Sequence, residues 1–167
     1  MHPPVTLRPA TEADLPAILD IYNDVILTTT AVYSEQPHTL QMREAWYRER
    51  RAARFPVIVA EAGDGSIAGF GTYGHFRAWP CYRFTVEHSV YVHAGMRGQG
   101  ISKVLLTEII GHAKTAGMHA LIAGVDSENS VSLQLHLKFG FEQVARFKEV
   151  GFKFNRWLDL IFLEKIL

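Results

Sequence analysis

The sequence predicts an α+β fold in which helices flank a mixed central β-sheet. Apolar periodicity divides the chain into segments in the order β α α β β β α β α β β, so strands and helices do not strictly alternate. A Gly-Asp-Gly turn at residues 63–65 predicts a hairpin between two neighbouring strands. A second glycine turn, at residues 96–102, joins a strand directly to a helix.

Composition predicts one globular domain that spans residues 1–167. Apolar residues make up 48% of the chain and charged residues 20%, which is ordinary for a folded domain of this length. Lys plus Arg and Asp plus Glu number 17 each, so no overall charge attracts nucleic acid or an anionic membrane. We therefore expect neither of those partners.

Cysteine content and the N-terminal residues indicate the compartment. The single Cys81 excludes an internal disulfide and fits a reducing environment. Residues 1–10 lack the basic and then apolar pattern of a signal peptide, and no apolar run reaches the roughly 18 residues of a membrane span. The expected location is the cytoplasm.

The first half of the chain predicts three strands and two helices. Thr11-Glu12-Ala13-Asp14 offers a capping box before apolar residues at helical spacing, and Pro16 is tolerated in the first turn. The predicted elements are a strand at 5–8, a helix from about 11 to 26, a loop at 28–37, a helix at 39–55, and strands at 57–60 and 67–73.

The helix predicted at 39–55 carries a cluster of arginines. Glu44 and Glu49 lie among them, so a solvated helix face is favoured over a nucleic-acid surface. The arginines are Arg48, Arg50, Arg51 and Arg54.

The second half predicts four strands and two helices. Gly117 and Gly140 stand at the glycine stop positions of the helices. The predicted strands are 85–92, 121–125, 141–147 and 156–162, and the predicted helices are 102–113 and 129–138.

The turn at 96–102 is a predicted anion site. Gly98 and Gly100 let the backbone bend, and the first N–H groups of the following helix have no intrahelical acceptor. A Walker A loop is excluded because Ile101 and Ser102 stand where Lys and Ser or Thr are required, and a dinucleotide fingerprint fits poorly because Lys103 replaces its third glycine. An ordinary glycine connection is the alternative.

Arg97-Gly98-Gln99-Gly100-Ile101-Ser102 resembles the R-x-x-G-x-[GA] pyrophosphate loop of the GNAT superfamily of acyl-CoA-dependent N-acyltransferases, with Ser102 in place of Gly or Ala. The preceding Val-Tyr-Val resembles the acyl-CoA-binding strand of that family, and the element order resembles the GNAT fold over nearly the full length. The resemblance implies acetyl-CoA as co-substrate and no metal. The implied cofactor-binding residues are Val90, Tyr91, Val92, Arg97, Gly98, Gln99, Gly100, Ile101, Ser102, Lys103 and Asn129.

Glu87 is the candidate general base. It lies within an apolar strand, where an unpaired carboxylate is costly to bury. Partial burial would raise its pKa from about 4.3 toward neutrality, which suits a group that takes a proton from an amine. A structural salt bridge to Arg77 or Arg83 is the alternative.

His136 is the second catalytic candidate. Residues 129–136 resemble the GNAT signature N-x-x-S-x-x-L-[YH], whose last residue lies near the thioester sulfur. An imidazole with a reference pKa of about 6.5 could protonate the departing thiolate at neutral pH. A purely structural histidine is the alternative, and the contact of Asn129 with the cofactor is likewise implied by the resemblance.

A more specific resemblance follows from three segments: the T-V-E-H-S-V-Y-V strand with an arginine upstream, the L-H-x-x-x-G-F helix end, and residues 151–159. Together they are similar to the phosphinothricin and methionine sulfone or sulfoximine N-acetyltransferases. The likeness implies that Arg77 binds the substrate carboxylate. It further implies a substrate site lined by Ala78, Trp79, Glu87, His88 and Ser89.

The predicted function is acetyl-CoA-dependent N-acetylation of the α-amino group of a small amino-acid analogue, by direct transfer. Two alternatives are acetylation of protein N-termini or lysines, and a non-catalytic acyl-CoA-binding module. Aromatic residues Phe76, Trp79 and Tyr82 favour a closed small-molecule pocket over an open groove. The resembled enzymes are homodimers, and the apolar residues 160–167 are a candidate interface.

Overall fold

The computed structural model describes residues 5–167, which form a seven-stranded sheet with helices on both faces. The sheet order is β1-β2-β3-β4-β5-β7-β6. The strands are β1 Val5–Pro9, β2 Val57–Ala62, β3 Ile67–His75, β4 Thr85–Val92, β5 Ala120–Asp126, β6 Glu142–Lys153 and β7 Arg156–Ile166. The helices are α1 Leu15–Thr28, α2 Leu40–Ala52, α3 Ile101–Thr115 and α4 Ser130–Lys138.

The predicted fold class and element order are confirmed. The largest difference concerns β6 and β7, which extend well beyond the predicted 141–147 and 156–162 and form a long hairpin. The residues 160–167 singled out as an interface lie mostly in β7, which is an inner strand between β5 and β6. Within residues 5–167, no helix is long and apolar enough to cross a membrane.

Local sequence accounts for where α1 and α2 begin. The backbone N–H of Thr11 donates to Asp14 at 2.7 Å, as the capping box predicts, and Arg8 forms an ion pair with the same carboxylate at 2.8 Å. Thr39 caps α2 by accepting from the N–H of Met42. The capping box thus closes a 3₁₀ turn at Glu12–Asp14 that leads directly into α1, and α2 starts at the hydrogen-bonded cap of Thr39.

The two faces of the sheet carry separate cores. Leu105, Leu106 and Ile109 of α3 pack on one face, with the side chain of Val86. On the other face, α1 and α2 pack against the side chain of Phe70, and Tyr91 lies beside it. Because neighbouring residues of a strand point to opposite faces, β4 contributes to both cores.

The parallel strands β4 and β5 separate after only three residue pairs. Thr85 pairs with Ala120, Val86 with Leu121, and Glu87 with Ile122. Beyond that point β5 continues to Asp126 paired with β7 alone, while β4 continues to Val92 paired with β3 alone. A cleft therefore opens in the middle of the sheet, and the edge of β4 along residues 88–92 faces it.

Lys153 connects the β6–β7 hairpin to the end of α1. Its Nζ donates to the carbonyls of Ile26, Thr29 and Val32 at 2.6, 2.7 and 2.8 Å. The residue is 1% exposed. One buried ammonium thus satisfies three carbonyls at the end of α1 and in the segment that follows it.

We predict that Lys153→Met lowers the free energy of unfolding by about 3 kcal/mol, because one buried and two partly buried carbonyls lose a charged donor. Urea denaturation at neutral pH measures the change. Lys148→Met is the matched control, since Lys148 lies on the same strand and is exposed. Equal, small losses in both variants would contradict the prediction.

Candidate active site

Glu87 lies at the point where β4 and β5 part. Its carboxylate rests above Gly124 of β5, where a β-carbon would come within 3.1 Å of Oε1. Within residues 5–167 this carboxylate forms no ion pair, so the predicted alternative of a structural salt bridge to Arg77 or Arg83 is not observed. Burial raises the pKa of Glu87, and the positive charge of Arg77 opposes that rise.

Arg77 is exposed and lies near enough to Glu87 for its charge to act on that carboxylate. Its guanidinium stacks on Phe76, with 4.2 Å between Cζ and the ring centroid, and Nη1 donates to the Phe76 carbonyl at 2.9 Å. Phe76 in turn contacts Phe162, whose ring also borders Gly124. These contacts hold Arg77 near Glu87, and among residues 5–167 its remaining donors have no partner, so they could bind a carboxylate.

The other predicted substrate residues do not all face this site. Ala78 and Trp79 are exposed, and Trp79 retains 68% of its surface. Ser89 is on the same face of β4 as Glu87, whereas His88 points to the opposite face and is buried there. A substrate contact by His88 stays a prediction, and its placement does not favour one.

His136 of α4 pairs with His88 on that opposite face. Its Nδ1 lies 2.7 Å from the carbonyl oxygen of Ser132, and its Nε2 lies 3.1 Å from Nε2 of His88. A carbonyl only accepts, so Nδ1 of His136 carries the hydrogen and Nε2 accepts from His88. Burial lowers the pKa of both rings, that of His88 to about 3. His136 thus holds no free N–H, and the geometry favours a positioning role over proton donation.

The glycine turn offers backbone donors, as predicted. Gly98 and Gly100 have φ values of 78° and 84°, and a β-carbon on either would meet no atom within 4 Å. Within the described part of the chain, residues 5–167, the N–H groups of residues 98–102 at the start of α3 have no backbone acceptor. These donors suit a pyrophosphate.

Side chains around the turn have different roles. Arg97 is not free, because it pairs with Asp24 at 3.0 Å and donates to the Val92 carbonyl at 3.3 Å. Ile101 is buried in the α3 core, so only its N–H faces a ligand. Gln99 and Lys103 are exposed.

Asn129 caps α4 at the other wall of the cleft. Its Oδ1 accepts from the N–H of Ser132 at 3.1 Å, which leaves its amide N–H groups for a ligand. Asn129 borders a cavity of about 360 Å³ together with the end of α1, Phe154 and Arg156. The turn at 96–102 and Asn129 follow the carboxyl ends of the parallel strands β4 and β5, so they lie on either side of one opening.

Sequence reasoning missed three residues near the site. Gly124 carried a signal, because an isolated glycine in a strand marks close approach by another group. No sequence pattern indicated the contacts of Lys153 and Arg50, since their partners are distant in sequence. Among residues 5–167, no group of His, Cys, Asp or Glu could hold a metal ion.

Comparison with known proteins identifies the family. A model of the acetyltransferase (GNAT) domain matches residues 7–162. The L-methionine sulfoximine/L-methionine sulfone acetyltransferase of Pseudomonas aeruginosa is 42% identical over 95% of this chain and 92% of its own.

Solved structures agree. The ribosomal-protein-alanine N-acetyltransferase of Brucella melitensis is 46% identical, with a TM-score of 0.95 over 97% of this chain and 98% of its own. A GNAT superfamily phosphinothricin acetyltransferase from Sinorhizobium meliloti, in complex with acetyl-CoA, is 35% identical. Its TM-score is 0.96, over 98% of this chain and 89% of its own. The chain belongs to the GNAT family of acetyltransferases.

Proposed function

We propose that this protein transfers the acetyl group of acetyl-CoA to the α-amino group of a small amino-acid analogue of the methionine sulfone, methionine sulfoximine or phosphinothricin type. The observation that carries the proposal is Glu87, a half-buried carboxylate without an ion pair in residues 5–167, at the fork of β4 and β5 beside Arg77. Two of the compared relatives are named for such acceptors.

The residues present fit acetyl-CoA. The unpaired N–H groups of residues 98–102 would bind its pyrophosphate, and the open edge of β4 would pair with its pantetheine arm as a strand would. Asn129 would donate from the opposite wall. The co-substrate supplies a thioester carbonyl, which an N–H of β4 would polarise as negative charge develops.

Glu87 and Arg77 act on the acceptor. Arg77 binds its carboxylate, and Glu87 takes a proton from its ammonium group, directly or through water. The nitrogen lone pair then forms the new N–C bond while the C–S bond breaks, and the nitrogen releases its second proton to solvent as the neutral amide forms. The thiolate leaves and takes its proton from water, because both nitrogens of His136 are engaged.

A protein N-terminus is the second candidate acceptor. The Brucella neighbour is named for a ribosomal protein alanine, and the rim formed by Arg77, Ala78 and Trp79 is exposed. Thiol release from acetyl-CoA with methionine sulfone, methionine sulfoximine, phosphinothricin and alanine-terminated peptides distinguishes the two. Turnover on peptides alone would select the second candidate, and binding without any turnover would indicate a non-catalytic module.

We propose further that the enzyme is a homodimer. Large aromatic side chains are exposed on the β6–β7 hairpin and near the substrate site, among them Phe152, Trp157 and Trp79. Light scattering after size exclusion should give twice the 18.8 kDa chain mass. A monomer at micromolar concentration would contradict this. A cytoplasmic location, with no nucleic-acid or membrane partner, stays a prediction.

We expect Glu87→Gln to lower kcat by roughly 10²-fold or more with little change in the KM for acetyl-CoA, because the base is lost and the donor site is intact. Since burial raises the pKa of Glu87, wild-type kcat/KM should rise with pH as that carboxyl deprotonates. The variant should lose this rise. Glu108→Gln on exposed α3 surface is the control, and an unchanged pH profile in Glu87→Gln would remove Glu87 from the mechanism.

We expect Arg77→Ala to raise the KM for the amino-acid acceptor roughly tenfold or more, through loss of a charge-assisted contact of about 1.5–3 kcal/mol. Arg83→Ala is the matched control, because Arg83 stacks on Phe84 at 4.6 Å much as Arg77 stacks on Phe76. Steady-state kinetics with varied acceptor measure both. The same KM in the two variants would place the carboxylate site elsewhere.

A further inference from the structure

Helix α2 turns two arginines toward the sheet, and neither has a carboxylate partner in residues 5–167. Arg43 is 2% exposed, and its guanidinium lies above the ring of Tyr22 and 3.0 Å from Nδ1 of His38. Arg50 is half-buried, and its enclosed Nε has no acceptor among the described residues. Burial lowers the pKa of both groups. Enclosed cations without counter-ions are costly, which points to a ligand that supplies the charge.

The position of Arg50 relates it to the catalytic carboxylate. A β-carbon on Gly74 of β3 would lie 2.6 Å from Nη1 of Arg50, so the guanidinium rests directly on the strand where the side chain is missing. Gly74 is the cross-strand partner of Glu87. Side chains of directly opposed residues share a face of the sheet, with their β-carbon positions about 5 Å apart. Arg50 therefore lies over β3 on the same face of the sheet as Glu87, whose carboxylate extends the other way, over Gly124 of β5.

We propose that Arg50 is a specificity-determining residue that binds an oxyanion on the acceptor's side chain and so favours anionic acceptors over neutral ones. This inference rests on the proposed function. Arg77 binds the α-carboxylate that every amino-acid acceptor carries, whereas Arg50 binds only the anionic group of the acceptor's side chain. The planar guanidinium matches a phosphinate or carboxylate with two parallel N–H donors.

Phosphinothricin and methionine sulfone form a matched pair for the test. They share the same carbon chain and a terminal methyl group, and they differ in a phosphinate anion against a neutral sulfone. Wild-type kcat/KM should be higher for phosphinothricin. Arg50→Gln should lower kcat/KM for phosphinothricin at least tenfold and change that for methionine sulfone less than twofold, while Arg50→Lys should fall between. Arg48→Gln, on the exposed face of α2, should change neither.

Other outcomes would overturn the inference. Equal losses with both acceptors in Arg50→Gln would make Arg50 a structural residue, and a wild-type preference for the sulfone would exclude an anion site. If Arg50→Gln does not fold, the Arg50→Lys variant and the wild-type preference still decide. If wild type acetylates none of phosphinothricin, methionine sulfone and methionine sulfoximine, the proposed function fails. Calorimetric titration with phosphinothricin then tests Arg50 separately, and equal affinity in wild type and variant would exclude the contact.

Discussion

The early divergence of β4 and β5 is the constraint on which the candidate site depends. Three residue pairs join these parallel strands, after which each pairs only with its antiparallel neighbour. An unpaired strand edge is ordinarily a liability, because its N–H and C=O groups invite pairing with another chain. Here the edge lies inside the sheet, where only a narrow, extended ligand could reach it. The same divergence leaves room above Gly124 for the carboxylate of Glu87.

The register of β4 divides its residues between two environments. Glu87 and Tyr91 face α1 and α2, whereas Val86 and His88 face α3. A shift of one residue would exchange the two sets, burying the carboxylate in an apolar core. This division explains why two adjacent residues, both expected to line the substrate site, lie in such different surroundings. It also separates the His88–His136 pair from the carboxylate of Glu87.

Local signals predicted most of the fold and the glycine turn of the candidate site. The sequence pattern identified Gly98, Gly100 and Glu87, because their local conformation and surroundings depend on residues next to them in the chain. Contacts between distant segments were not predictable: Lys153 meets carbonyls more than 120 positions away, and Arg50 meets Gly74. The prediction of a solvated arginine face is wrong for Arg50. Gly74 of β3 has no side chain, so the guanidinium of Arg50 packs against that strand, and the periodicity of α2 alone cannot reveal this contact.

The charges around Glu87 connect acceptor binding to base strength. Two influences act on its pKa in opposite directions: burial raises it, and the nearby guanidinium of Arg77 lowers it. An acceptor carboxylate bound to Arg77 would neutralise the second influence while enclosing the site further. Both changes make Glu87 a stronger base. The pKa of Glu87 would thus rise when an acceptor carboxylate binds Arg77, and an amine without a carboxylate would forgo that gain.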